Sequence, residues 1–110
     1  MNIWALEKDE SIKLLLLLLR EQLGQTSFVI LENQELHPRA VRLAKTDDLS
    51  VTAYLYTYGQ QAGTCGVHLE LPDHEDASVT NDMEIYEGVG LDRLVAMLCV
   101  HFDISPVSFL

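Results

Sequence analysis

The sequence predicts an α+β fold: an antiparallel sheet of four to five strands with an N-terminal and a C-terminal helix packed on one face. Three observations carry this. Helix formers with recognisable end signals sit near both ends of the chain, alternating apolar and polar residues fill the middle, and a glycine-bracketed turn joins two alternating runs of similar length. The order helix, strands, helix, with no repeating strand-helix-strand unit, selects α+β over a parallel α/β sheet. A chain of 110 residues that is 48% hydrophobic, with only 6 Gly and 3 Pro, has material for one core, and residues 1–110 read as a single domain.

From Asp9 to Leu23 the residues favour a helix. Asp9, Glu10 and Ser11 place acids and a cap at its positive end, and Gly24 stops it. The apolar run Leu14 to Leu19 is six residues long between Lys13 and Arg20, far short of the roughly 20 needed to cross a bilayer. Ser27 to Leu31, Arg39 to Lys45 and Val51 to Tyr58 read as strands, separated by His37-Pro38 and by Asp47-Asp48. Gly59 to Gly63 has hairpin composition, so 51–58 should pair with 64–71, which Pro72 ends. Residues 72–82 are polar and acidic and read as a loop, and Met83 to Tyr86 as a short further strand. Over Gly90 to Phe102, Leu91, Leu94, Val95, Leu98 and Phe102 share one helical face, with Asp92 in the first turn.

Charge narrows the function. Seventeen Asp and Glu against 7 Lys and Arg give a net charge of −10, which repels nucleic-acid phosphates and anionic membranes. Neither is an expected partner. Residues 1–45 hold six basic and six acidic side chains, whereas residues 46–110 hold eleven acids and Arg93 alone. Two cysteines, Cys65 and Cys99, do not make a disulfide framework, and the N-terminus lacks a signal-peptide pattern, so a cytoplasmic protein is expected.

Two surfaces remain once a core has been assigned. On the first helix Ile12, Leu15, Leu16, Leu19 and Leu23 form the core stripe, and Leu14, Leu17 and Leu18 fall on the other side. Those three are covered within the fold, by the second helix or by 104–110, or they form a homodimer seam. In the hairpin, alternation sends Val51, Ala53, Leu55, Cys65, Val67, Leu69 and Leu71 inward and Tyr54, Tyr56, Tyr58, His68 and Glu70 outward. With Met83 and Ile85 also inward, Glu84 and Tyr86 would join the tyrosines, so that all four tyrosines share one face. Together with Asp73, Glu75 and Asp76 they compose a surface suited to a basic protein: tyrosine gives contact area at low entropy cost, and carboxylates give steering.

Catalytic chemistry is poorly represented. His68, Glu70, Asp73, His74, Glu75 and Asp76 concentrate metal-capable groups, but their spacing matches neither an EF-hand nor H-E-x-x-H, so no metal or other cofactor is expected. Both cysteines lack the base and positive setting of a nucleophile. Gly88 and Gly90 precede a helix without a phosphate loop's lysine. Arg39, Arg42 and Lys45 read as solvated edge charges. The leading expectation is a non-enzymatic, acidic inhibitor of immunity-protein or antitoxin type that occludes the active surface of a basic toxin or nuclease. The alternatives are a dimeric chaperone for a secreted effector and, behind it, a metal-dependent enzyme using 68–76.

Overall fold

The computed structural model describes residues 3–32, 36–72 and 83–104. Helix α1 (Glu10–Leu23) leads into strands β1 (Phe28–Ile30), β2 (Ala40–Lys45), β3 (Asp48–Tyr56), β4 (Thr64–Glu70) and β5 (Met83–Gly90), and helix α2 (Leu91–His101) follows. The strands lie in sequence order, each antiparallel to the next. This is the predicted α+β architecture, with five strands.

Local chemistry fixes the start of α1. Asp9 Oδ2 accepts the Ser11 backbone N–H at 3.0 Å and the Ser11 hydroxyl at 2.6 Å, satisfying donors that a helix leaves unpaired in its first turn. The Ser11 hydroxyl also lies 2.7 Å from that of Thr57, and Arg39 Nε is 3.5 Å from Asp9, so the cap ties α1 to the one end of the β2–β3 pair where β2 begins and β3 finishes. At the far end, the Gly24 N–H donates to Arg20 O at 2.9 Å.

Both helices pack on one face of the sheet. Ile12, Leu16, Leu19 and Leu23 of α1 meet Leu94 and Leu98 of α2 and Phe102 just past it, over Val41, Leu43, Ala53, Leu55, Cys65, Val67 and Val89. Each large apolar side chain buried this way contributes about 1.5–3 kcal/mol, against a typical domain stability of about 5–15 kcal/mol. Ile3, in a short 3-10 turn before α1, closes one margin of this layer.

Several expectations need correction. Leu15 is half-buried, and Leu17 packs against the core instead of facing away from it, which leaves Leu14 and Leu18 exposed. Lys45 pairs with Asp48 around the two residues Thr46 and Asp47, so β3 begins three residues before Val51. Tyr58 lies in the turn after β3, and Leu71, beyond the last paired residue of β4, is exposed.

The largest departure is in β5, which runs from Met83 to Gly90 and passes directly into α2. Cys65 pairs with Val89 but Val67 pairs with Tyr86: two steps along β4 against three along β5. This β-bulge inserts one residue and exchanges the two faces for everything beyond it. Tyr86 and Glu84 therefore lie on the helix face opposite Val67 and Leu69, and Ile85 and Met83 lie on the other face opposite His68 and Glu70, the reverse of the expected assignment. Gly88 holds the bulge with φ +64°, a value side chains disfavour, and Gln60 clamps it. The Gln60 amide accepts the Gly88 N–H at 2.7 Å and donates to Glu87 Oε2 at 2.9 Å.

The Asp9 cap has a measurable pH signature. Hydrogen bonds from the Ser11 side chain and backbone hold its carboxyl below the usual value, with Arg39 adding a smaller lowering. A depressed carboxyl contributes stability above the unfolded value of about 3.9 and loses it as pH falls through the folded one. Asp9→Ala should lower Tm at neutral pH, and the gap to the parent chain should close as pH falls from about 5 to about 2. Thermal melts across that range check this; a gap independent of pH would exclude the cap as its source.

Candidate functional site

The face of the sheet opposite the helices has its own organisation. Along β3, alternation points Thr52, Tyr54 and Tyr56 to this side, and antiparallel pairing sets His68 across from Tyr54 and Gly66 across from Tyr56. Among the described residues no helix crosses this face. Its rings cover one another instead.

Tyr56 is the centre. Its ring lies 4.6 Å from Tyr58 in a stacked arrangement, 5.6 Å from Tyr54, and 5.4 Å edge-on from His68. Tyr54 and His68 are 5.3 Å apart, and His37 joins at 4.7 Å from Tyr58. The Tyr54 and Tyr58 hydroxyls are 3.1 Å apart, bridging over Tyr56. Aromatic pairs at such separations contribute about 0.5–1.5 kcal/mol each beyond area burial, so the cluster supports its own order.

What lets Tyr56 lie flat is a glycine. A β-carbon at Gly66 would overlap the Tyr56 ring at its hydroxyl end, so the missing side chain on β4 is the ring's seat. Tyr56 is 5% exposed as a result, and Ala40 beside it on β2 is fully buried. Burial first, then the charge of Glu87 and a hydrogen bond to it, push the Tyr56 phenol above its ordinary pKa. Tyr56 is thus a platform for the more accessible Tyr54, Tyr58 and His68.

Charge on the face is largely settled internally. Arg42, directly across from Tyr54 on β2, pairs with Glu70 and lies 5.2 Å over the Tyr54 ring. Thr52 donates to Glu70 at 2.9 Å. Arg42 is thus no edge charge, since β2 lies between β1 and β3, and Glu70 is no free acid. Ile85 and Met83 supply exposed apolar surface at 59% and 44%, with Glu87 at the rim.

The expected surface is therefore assembled in part. Tyr54, Tyr56, Tyr58, His68 and Glu70 come together. Glu84 and Tyr86 do not: they are on the helix face, where the Tyr86 hydroxyl donates to Glu84 at 2.9 Å and Arg93 of α2 lies 5.6 Å over the ring. Asp73, Glu75 and Asp76 fall outside the described residues, as does His74. Arg42, His37, Gly66 and Ile85 were missed. A glycine inside an otherwise alternating strand was the available signal for Gly66, and Ile85 required the bulge.

Of the other chemistry considered, no three His, Cys, Asp or Glu gather as a metal site among the described residues. Burial pushes the Cys65 thiol up to about 11, so it is protonated at neutral pH. A groove of about 460 Å³ runs between α1, the β3–β4 turn and the start of α2, with Leu14, Leu18, Ala62 and Leu91 in its walls.

Gly66→Ala tests the platform. The added methyl should evict the Tyr56 ring, reduce the near-ultraviolet circular dichroism of the tyrosines and cost about 1–3 kcal/mol in denaturant unfolding. An unchanged aromatic signal would show that the ring does not depend on that seat.

Comparison with family models, with curated proteins and with solved structures finds no match to this chain, so the chemistry of the face rests on its own geometry.

Proposed function

We propose that the chain is a small acidic protein-binding inhibitor of immunity-protein or antitoxin type, which sets its open tyrosine-histidine face on a basic protein such as a toxin or nuclease and occludes it. One observation carries this reading: the second face of the sheet is paved with mutually supporting rings and left uncovered among the described residues. Rigid aromatic surface is what a protein interface uses for anchoring, and Ile85 and Met83 extend it with apolar area. The net charge of −10 favours a cationic partner through the field of the whole molecule, because Glu70 is already engaged by Arg42.

The immobilised chain should capture one basic protein from its host's lysate, with capture falling as salt rises from about 0.05 to 0.5 M. Tyr58→Ala and Ile85→Ala, both at exposed positions, should each weaken binding by about tenfold. Tyr56→Ala is a poor probe, since removing the platform alters the fold. Capture indifferent to salt and to both exposed variants would overturn this reading.

The dimeric chaperone remains as a second reading, favoured by Leu14 and Leu18, which stay 47% and 42% exposed beside the groove. The segment between β3 and β4 is a turn without a helix. Light scattering should give a dimer that Leu14→Asp converts to monomer if this reading holds. A monomer at every concentration removes it.

A further inference from the structure

Strand β5 is one of the two edges of the sheet, and the longer: eight residues, against three in β1. Among the described residues no strand pairs with its outer side, so alternate backbone N–H and C=O groups of residues 83–86 point away from β4. Natural edges are blunted by proline, by shortness or by bulges. Here there is no proline, and the bulge sits at Glu87-Gly88, which leaves the pairing of Met83 to Tyr86 with β4 regular.

The side chains flanking this edge are suited to holding a guest. Ile85 and Met83 lie exposed on the tyrosine face, and Glu84 lies on the other. Next to Glu84, a cleft of about 530 Å³ opens between the start of β5 and the end of α2, with Leu71, Met97 and Val100 among its walls. A strand laid along β5 would send alternate side chains toward Ile85 on one face and toward Glu84 and this cleft on the other.

Charge decides between the occupants. A second copy paired antiparallel through β5 would bring Glu84 and Glu87 of each chain together along a short ladder, between molecules of charge −10. Four more acids, Asp73, Glu75, Asp76 and Asp82, precede the strand in sequence. A cationic segment meets the opposite situation.

We propose that β5 is a docking edge to which an extended segment of a basic partner, alternating Lys or Arg with apolar residues, adds as a sixth strand. This rests on the partner being a basic protein, as proposed above, and adds how that partner engages the edge of the sheet beside the tyrosine face.

The test uses the full chain and an acetylated, amidated octapeptide of alternating lysine and valine, followed by amide NMR. Binding should slow solvent exchange at alternate amides of residues 83–86. N-methylating alternate peptide residues in one register should weaken binding on the order of tenfold, while methylating the other register should not, because a strand offers only every second amide to its neighbour. Glu84→Lys should weaken binding on the order of tenfold, and Glu21→Lys, the same charge reversal at an exposed position of α1, should leave it unchanged. The N-methyl series involves no variant protein, so a Glu84→Lys chain that failed to fold would leave the test intact. Equal effects of the two registers, equal binding of a glutamate-valine peptide, or no binding at about 1 mM would overturn the edge. Shifts confined to Tyr54, Tyr58 and His68 would overturn the edge while leaving the aromatic face as the docking surface, whereas failure of the lysate capture would remove that face's basic partner.

Discussion

The constraint on which both surfaces of this protein depend is the single extra residue in β5 opposite Cys65 and Val67. Side chains on a strand alternate with a period of two, so one inserted residue exchanges the faces of all that lies beyond it. Continued without a bulge from the Cys65–Val89 pair, β5 would place Glu87, Ile85 and Met83 beside the core and Tyr86 and Glu84 beside the tyrosines. With it, the isoleucine and methionine extend the aromatic face, and the tyrosine and its hydrogen-bonded acid lie toward α2. Gln60 matters because it spans the bulge from a neighbouring turn, accepting from one of its residues and donating to the other.

This explains which parts of the fold were legible in the sequence. Caps and stops are local signals, and Asp9 and Gly24 mark the limits of α1 because a few adjacent backbone groups decide them. Alternation within a hairpin is nearly as local, which is why Tyr54, Tyr56 and His68 could be grouped from residue parity alone. The faces of Tyr86 and Glu84 could not, since they depend on a register set by a strand some twenty positions earlier and on a loop between them. Leu17 failed for a related reason: helical spacing gives an angle around α1, but how wide an arc is covered depends on the neighbours that pack there.

Arg42 and Gly66 mark the limit of reading charge and propensity residue by residue. A basic side chain at an exposed edge and one on an interior strand look alike in sequence, yet Arg42 is held by Glu70 and a tyrosine ring. A strand glycine ordinarily weakens its ladder, and here the vacancy on β4 is filled from β3 by Tyr56. The two features belong to one arrangement, in which the polar and aromatic side chains of a face that no helix crosses among the described residues satisfy each other. Contacts within the face hold the supporting residues Tyr56, Gly66, Arg42 and Glu70, and leave Tyr58 and Ile85 the accessible ones.

The junction at Gly90 has a mechanical consequence. β5 ends and α2 begins with no loop between them, and Val89 and Leu94, on either side, are both anchored in the core. With no loop between them, the place where β5 leaves the sheet is also the place where α2 starts, so the path of the strand sets where Leu94 and Leu98 enter the packing beneath α1. The fold thereby joins one edge of its sheet to its interior through a helix about three turns long.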